Sequence, residues 1–378
     1  TEGLTDDQKE YMAAARAFAD KELAPYMQKW DATCHFPVET LKKTAELGFS
    51  AMYCKEELGG GGLSRLDSAL VFEALSTGCV STVAYLTLHN MCAWIIDTYG
   101  TKQLREEYVP ILASCEKLAA YCLTEPDSGS DAASLSTTAK RKGDKYILNG
   151  SKAFISGGGA CDVYIVLVRT GGPGPEGISC LLVDADAPGL TWGKKEEKVG
   201  WNSQPTATMQ FSDCEVPVSH LIGAEGQGFA IAMKALYGTR INIASCSIGG
   251  AQAALETTQE YVSVRKQFNK PLVANQAVKF KLAEMAIALS SSRLMTRQAA
   301  RMIDANHPQA GAWSAMAKVY ASDSCYNVCN EAVQLHGGYG YLKDYKVQQY
   351  LRDLRVHKIL SGTNEIMRMI VAKELLKD

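Results

Sequence analysis

The chain reads as an α+β multidomain protein, and three observations predict that class. Residues 1–117 carry long helical polar–apolar periodicity with few breakers. Residues 118–225 switch to short β-rich runs cut by Gly, Pro and Asp turns. From residue 226 to 378 helical periodicity returns, in long segments joined by short loops. The expectation is an N-terminal all-α domain, a compact antiparallel β domain and a C-terminal up-and-down helical bundle.

In the first region the segment 6–30 is expected to be helical, opened by Thr5 and Gln8 in capping-box spacing. A short helix over 38–47 ends at Gly48, and the run Gly59–Gly62 breaks the chain before helices at 64–77 and 81–98. In the middle region the predicted strands are 146–150, 162–168, 178–184 and 206–213, with the turn-rich GGPGPEG (171–177) the clearest divider. The last region is expected to form helices over 228–260, 276–305, 309–335, 345–357 and 363–376. No internal repeat interrupts this order.

Composition excludes several function classes. With 39 basic and 41 acidic side chains the formal net charge is −2, which argues against a nucleic-acid partner. No apolar run approaches the roughly 20 residues a membrane-spanning helix needs; the longest, VYIVLV (163–168), is strand-sized. The 12 cysteines are scattered among apolar neighbours and read as reduced, buried thiols. Cys325, Cys329 and His336 have ligand-like spacing, but no fourth ligand is evident, so no metal is expected. No targeting segment is visible, which fits either a cytoplasmic protein or one whose leader has been removed.

Five motifs carry the chemistry. YCLTEPDSGSD (121–131) begins strand-like and turns at Pro126, and its small residues let backbone N–H groups approach a ligand. NGSKAFISGGG (149–159) places an aromatic beside a strand end. VRKQFNKPLVANQ (264–276) offers Arg265, whose planar fork of donors suits a pyrophosphate. LHGGYGYL (335–342) has paired glycines that admit a phosphate or ribose close to the main chain. LSGTNEIMR (360–368) closes the series. Each alone has a bland reading: PDSG is an ordinary turn, RKQF a solvated helix end. No GxGxxG after a strand, GxSxG, HExxH or P-loop is present.

In this order, and over essentially all 378 residues, the five motifs resemble the flavin site of the acyl-CoA dehydrogenase family. The resemblance implies a β-barrel-like middle domain, a C-terminal four-helix bundle and FAD as cofactor. It sets the 121–130 backbone, through Tyr121, Cys122 and Leu123, and Thr124 at the flavin ring, with Ser130 at the cofactor and where the acyl-CoA chain enters. Phe154 and Ile155 would pack near the isoalloxazine, with the Ser156 hydroxyl reaching a ring heteroatom. Arg265, Gln267, Phe268, Asn275 and Gln276 would reach the FAD of a neighbouring subunit, and Gln334, Gly337 and Gly338 would bind it across the interface. Thr363, Asn364 and Glu365 would add cofactor contacts. Tyr237, Thr239 and Arg240 would lie on the substrate helix. A homotetramer (a dimer of dimers), an electron-transfer flavoprotein as electron acceptor and the mitochondrial matrix follow by the same resemblance. KVGWNSQPT (198–206), RINIASCSIG (240–249) and GYGYLKDYKVQQYLRD (338–353) extend it towards members acting on short branched acyl groups such as isobutyryl, in valine breakdown.

The chain departs from the pattern in two places. Asp127 stands where the family usually has Gly. More consequentially, Ser361 stands where the family usually has the Glu that removes the substrate α-proton, and the alternative address one residue before Arg240 holds Thr239. An alcohol is a poor base near neutral pH unless another group activates it. Four explanations compete: an engineered inactivating change, a catalytically silent paralogue that binds FAD and acyl-CoA, another acid such as Glu365 or Glu125 reaching the site, or a water beside Ser361 relaying the proton.

Overall fold

A computed structural model describes residues 3–376. The N-terminal region holds α1 (Asp6–Phe18), α2 (Met27–Thr33), α3 (Val38–Glu46), α4 (Arg65–Ser76), α5 (Val80–Tyr99) and α6 (Lys102–Ala113). The capping box at α1 forms as expected: Gln8 N donates to Thr5 Oγ1 at 3.2 Å and Thr5 N donates to Gln8 Oε1 at 3.1 Å. The single helix expected over 6–30 is divided. A π-turn at Ala19–Leu23 relaxes the helix ahead of Pro25, which has no N–H to continue the ladder.

The middle region contains β1 (Ala119–Cys122), β2 (Thr138–Lys142), β3 (Lys145–Ser156), β4 (Val163–Arg169), β5 (Ile178–Asp184), β6 (Leu190–Lys195), β7 (Thr206–Pro217) and β8 (Leu221–Ile222). The sheet runs β6-β7-β3-β2-β4-β5-β8, with β1 alongside β4. Most pairings are antiparallel, but β1 pairs with β4 in parallel, as does β2 through Thr138 and Arg169. Wholly antiparallel pairing, the expectation from short runs and tight turns, therefore fails where the chain arrives from α6 instead of from a hairpin.

Strands β4 and β5 show why VYIVLV lacks alternation. Val163, Ile165 and Leu167 face a cluster with Ile95 and Leu112 of the N-terminal helices, while Tyr164, Val166 and Val168 face a second cluster with Tyr85 and Val183. Both faces are covered, so both are apolar. Each such side chain contributes about 1.5–3 kcal/mol on burial.

The C-terminal region begins with α7 (Gly228–Val264), a helix of 37 residues. A small ribbon, β9 (Lys266–Gln267) and β10 (Lys270–Pro271), leads to α8 (Gln276–Asp304), α9 (Ala310–His336), α10 (Val347–Arg355) and α11 (Asn364–Leu376). Helix α7 packs so closely on α4 that a side chain at Gly249 would collide with the Glu73 carbonyl. Glu73 also accepts from Arg293 Nε at 2.6 Å, tying α4 to α8.

Eleven of the twelve cysteines are buried, and all are free thiols. Cys325 and Cys329 lie in the core, and burial pushes the Cys325 thiol up to about 12. His336 accompanies neither; its ring stacks on Tyr261 at 4.2 Å. Among the described residues no helix is long and apolar enough to cross a membrane.

Candidate active site

The expected site residues gather into two clefts. The first, of about 390 Å³, lies between the 121–133 turn, the end of β3, α7 and the 361–362 loop. Tyr121, Leu123, Thr124, Ser130, Phe154, Ile155, Ser156, Thr239, Arg240 and Ser361 all line it. The second, of about 460 Å³, collects Arg265, Gln267, Gln334, Gly337 and Gly338 at the far end of α7.

The turn that shapes the first cleft is fixed by a buried ion pair. Glu125 is 4% exposed. Its carboxylate accepts from Lys152 Nζ at 2.8 Å, from Thr137 N at 3.0 Å and from Ser136 N at 2.6 Å. Burial would raise its pKa, but Lys152 and these donors together bring it down to about 2. Lys152 also donates to the Leu123 carbonyl at 3.0 Å, clamping the strand end to the turn.

Two non-glycine residues that line the cleft have left-handed backbones, Phe154 at φ 57° and Ser361 at φ 54°. Such conformations cost about 1–3 kcal/mol and cluster at functional sites. Phe154 is 72% exposed, an aromatic ring presented to a ligand instead of to the core. Tyr121 lines the cleft as well, and its hydroxyl is buried with no hydrogen-bond partner among the described residues.

Opposite lies α7. Thr239 Oγ1 is spent on the Ala235 carbonyl at 3.0 Å and on Met91 Sδ. Arg240 is 3% exposed, yet its Nε and Nη1 have no partner. Burial pulls its pKa down to about 10, and only the neighbouring Tyr237 opposes this. The Tyr237 ring lies 5.5 Å from the guanidinium carbon but does not line the cleft itself.

Beneath the 361–362 loop sits Lys318, fully buried on α9 and not anticipated from the sequence. Its Nζ donates to the Gly362 carbonyl and to Asn364 Oδ1, each at 2.9 Å. Burial, with Arg240 adding to it, pulls its pKa down to about 7. The one available signal was a lone lysine in the small-residue run AGAWSAMAKVYAS (310–322).

Other expected residues sit outside the clefts or are bonded within the chain. The Asn364 amide is taken up by Lys318, Ser322 and Asp323, where it anchors α11. Cys122 is buried, so the contact expected there is one of its main chain. Thr363 Oγ1 accepts from Ile366 N at 3.2 Å as a helix cap. Neither acid considered as a substitute base faces the cleft. Glu125 is locked in its ion pair, and Glu365 is exposed outside the lining. The single carboxylate among the lining residues is Asp131, which is exposed and accepts from Ser134 Oγ at 2.6 Å. Phe268, Asn275 and Gln276 lie outside both clefts, on the exposed stretch around the small ribbon.

Three domain families match in tandem: acyl-CoA dehydrogenase N-terminal domain over residues 5–116, middle domain over 120–214 and C-terminal domain over 226–376. The chain belongs to the acyl-CoA dehydrogenase family. It is an enzyme of that class, with the helical, sheet and helical regions of its fold. It is 56% identical over 376 residues to the mitochondrial isobutyryl-CoA dehydrogenase of Bos taurus, covering 100% of this chain and 90% of that one. Butyryl-CoA dehydrogenase from Megasphaera elsdenii superposes with a TM-score of 0.96 at 37% identity, over 100% of both chains. PigA, solved with FAD and proline, superposes with a TM-score of 0.96 at 31% identity, over 99% of both.

Proposed function

We propose that the chain binds FAD and a short branched acyl-CoA, isobutyryl-CoA, and is built to convert it to methacrylyl-CoA, with the proton-abstracting step suppressed by Ser361. The observation that carries this is the first cleft. It gathers Thr124, Phe154, Ser156, Arg240 and Ser361 from four separate parts of the chain.

The residues present suit the cofactor. An exposed aromatic, an unpartnered buried hydroxyl at Tyr121 and open space beside Gly129 provide a platform and donors for a planar polar ring. In the second cleft Arg265, Gln334 and the open glycines 337 and 338 suit a pyrophosphate and its nucleoside. FAD, when bound, accepts the hydride that leaves the acyl β-carbon. Thr124 and Ser156 would orient the ring, and Phe154 would shield it from water. Leu88, Met91, Leu236 and Ile366 give the cleft apolar walls for a small acyl group.

Among the described residues the lining offers no free base: its one carboxylate, Asp131, is exposed and turned to Ser134. General acid–base help is worth about 10²–10⁴-fold, and Ser361 in place of an acid forfeits it. That same observation supports a second reading, a silent protein that binds FAD and acyl-CoA without oxidising it, or a deliberately inactivated dehydrogenase. A homotetramer, an electron-transfer flavoprotein as acceptor and a mitochondrial matrix location complete the proposal; the bovine relative is mitochondrial by name.

The test is anaerobic mixing of the yellow holoprotein with isobutyryl-CoA while oxidised flavin absorbance is followed. Slow bleaching that becomes fast in Ser361→Glu supports the dehydrogenase reading. A perturbed but unbleached spectrum in the parent chain and in Ser361→Glu supports the binder, and overturns a reading in which only the base is missing.

A further inference from the structure

The buried cations among the described residues are Arg65, Lys152, Arg240 and Lys318. Lys152 sits against the Glu125 carboxylate, and the Arg65 guanidinium lies over the Tyr53 ring at 3.6 Å. Arg240 and Lys318 have neither kind of partner at that range. Lys318 is satisfied only by carbonyl and amide oxygens. Arg240 is almost wholly buried, lines the cleft, and keeps two guanidinium nitrogens without a hydrogen-bond partner among the described residues. An unpaired charge in such a place costs several kcal/mol unless an anion joins it. The acids of this region do not serve: Asp131 is exposed and turned to Ser134, Glu365 stands outside the lining, and Asp323 is held by Lys358 and Arg368.

Ser361 lines the cleft together with Arg240, and its short side chain makes no hydrogen bond to another described residue; next to it is Gly362, whose carbonyl accepts from the buried Lys318. The wall there is therefore positive and roomy. We propose that the cleft beside Ser361 is a binding site for a small carboxylate anion, such as formate or acetate, seated against Arg240, and that the bound carboxylate removes the proton Ser361 cannot. In that step a carboxylate oxygen takes the proton from the acyl α-carbon. The released electron pair forms the carbon–carbon double bond as hydride leaves the β-carbon for the flavin. The carboxylate departs as its neutral acid, and a fresh anion replaces it. The binding half stands on the cleft alone; the catalytic half rests on the dehydrogenase reading above.

The experiment uses the holoprotein with sodium formate, and sodium chloride at equal ionic strength as control. Saturable binding is read from the ¹³C line width of labelled formate and from the thermal midpoint. The expected result is a formate-specific effect that weakens at least about tenfold in Ser361→Glu, whose own carboxylate fills the site, and in Arg240→Gln. An equal response to chloride, or unchanged formate binding in Ser361→Glu, overturns the site. Because Arg240→Gln also removes a buried group from the core, the Ser361→Glu comparison decides on its own. Flavin bleaching by isobutyryl-CoA should then accelerate by about tenfold or more at saturating formate in the parent chain, and not in Ser361→Glu. Specific binding without acceleration overturns the role as base. If Ser361→Glu itself fails to bleach while the parent chain still binds formate, it is the dehydrogenase reading that falls.

Discussion

Two buried lysines each hold a main-chain carbonyl of a residue that lines the first cleft, Lys152 that of Leu123 and Lys318 that of Gly362, and they are treated oppositely. Lys152 meets Glu125 at 2.8 Å, and the carboxylate's remaining capacity is filled by backbone amides. Lys318 meets two neutral oxygens, with Arg240 as a second cation contributing to its depressed pKa. The first arrangement is closed, with every charge answered inside the protein. The second is open, and its imbalance centres on the loop that carries Ser361. The difference teaches where the fold expects something from outside: a finished ion pair holds a turn in place, whereas an unfinished one waits for a ligand or a missing side chain.

The change with the largest expected effect completes the open side. Ser361→Glu should raise the rate of flavin bleaching by about 10²–10⁴-fold, measured by anaerobic stopped flow. Next comes breaking the closed side. Glu125→Gln leaves Lys152 charged and buried, and should destabilise the protein by about 3–5 kcal/mol in chemical denaturation, with loss of flavin from the distorted turn. A smaller effect follows at Lys318. Lys318→Met removes two hydrogen bonds but also relieves an unpaired cation, so denaturation should register a loss of only about 1–3 kcal/mol. A loss there as large as at Glu125 would erase the contrast.

The last prediction concerns pH. Lys318 has a pKa near 7 in the folded chain and an ordinary value of 10.5 when unfolded. Between these values the unfolded state binds more protons, so this lysine makes stability rise with pH from 7 upward. Its share is about 1 kcal/mol between pH 7 and pH 8. In Ser361→Glu the new carboxylate should hold Lys318 charged, and that part of the rise should flatten.

Much of this was legible in the sequence because local chemistry and global position agreed. The string 121–131 announces a strand, a turn and a close backbone approach, and it forms one wall of the first cleft. The absence of an acid at 361 was also plain. What remained hidden depends on partners far apart in sequence. Nothing near Glu125 says that its mate is Lys152, 27 residues on, so the acid looked free to act as a base. Lys318 reads as one more helix lysine until α9 is laid beneath the 361–362 loop. The left-handed backbones of Phe154 and Ser361 are imposed by surrounding structure, since neither residue type favours that region. The division of the first helix was written in Pro25 and lost under a strong amphipathic pattern.

Helix α7 has a consequence for the size of the working unit. It carries Arg240 in one cleft and leads into Arg265 at the other, and 25 residues of helix separate them by roughly 37 Å. The helix acts as a ruler. A molecule seated in one cleft is held a fixed, long step from the other, so a single chain presents two half-sites at the ends of a rod. Under the proposed assembly, each rod would serve one cofactor at its near end and brace a neighbour's at its far end. Dilution that separates the subunits would then release flavin before it unfolds any domain.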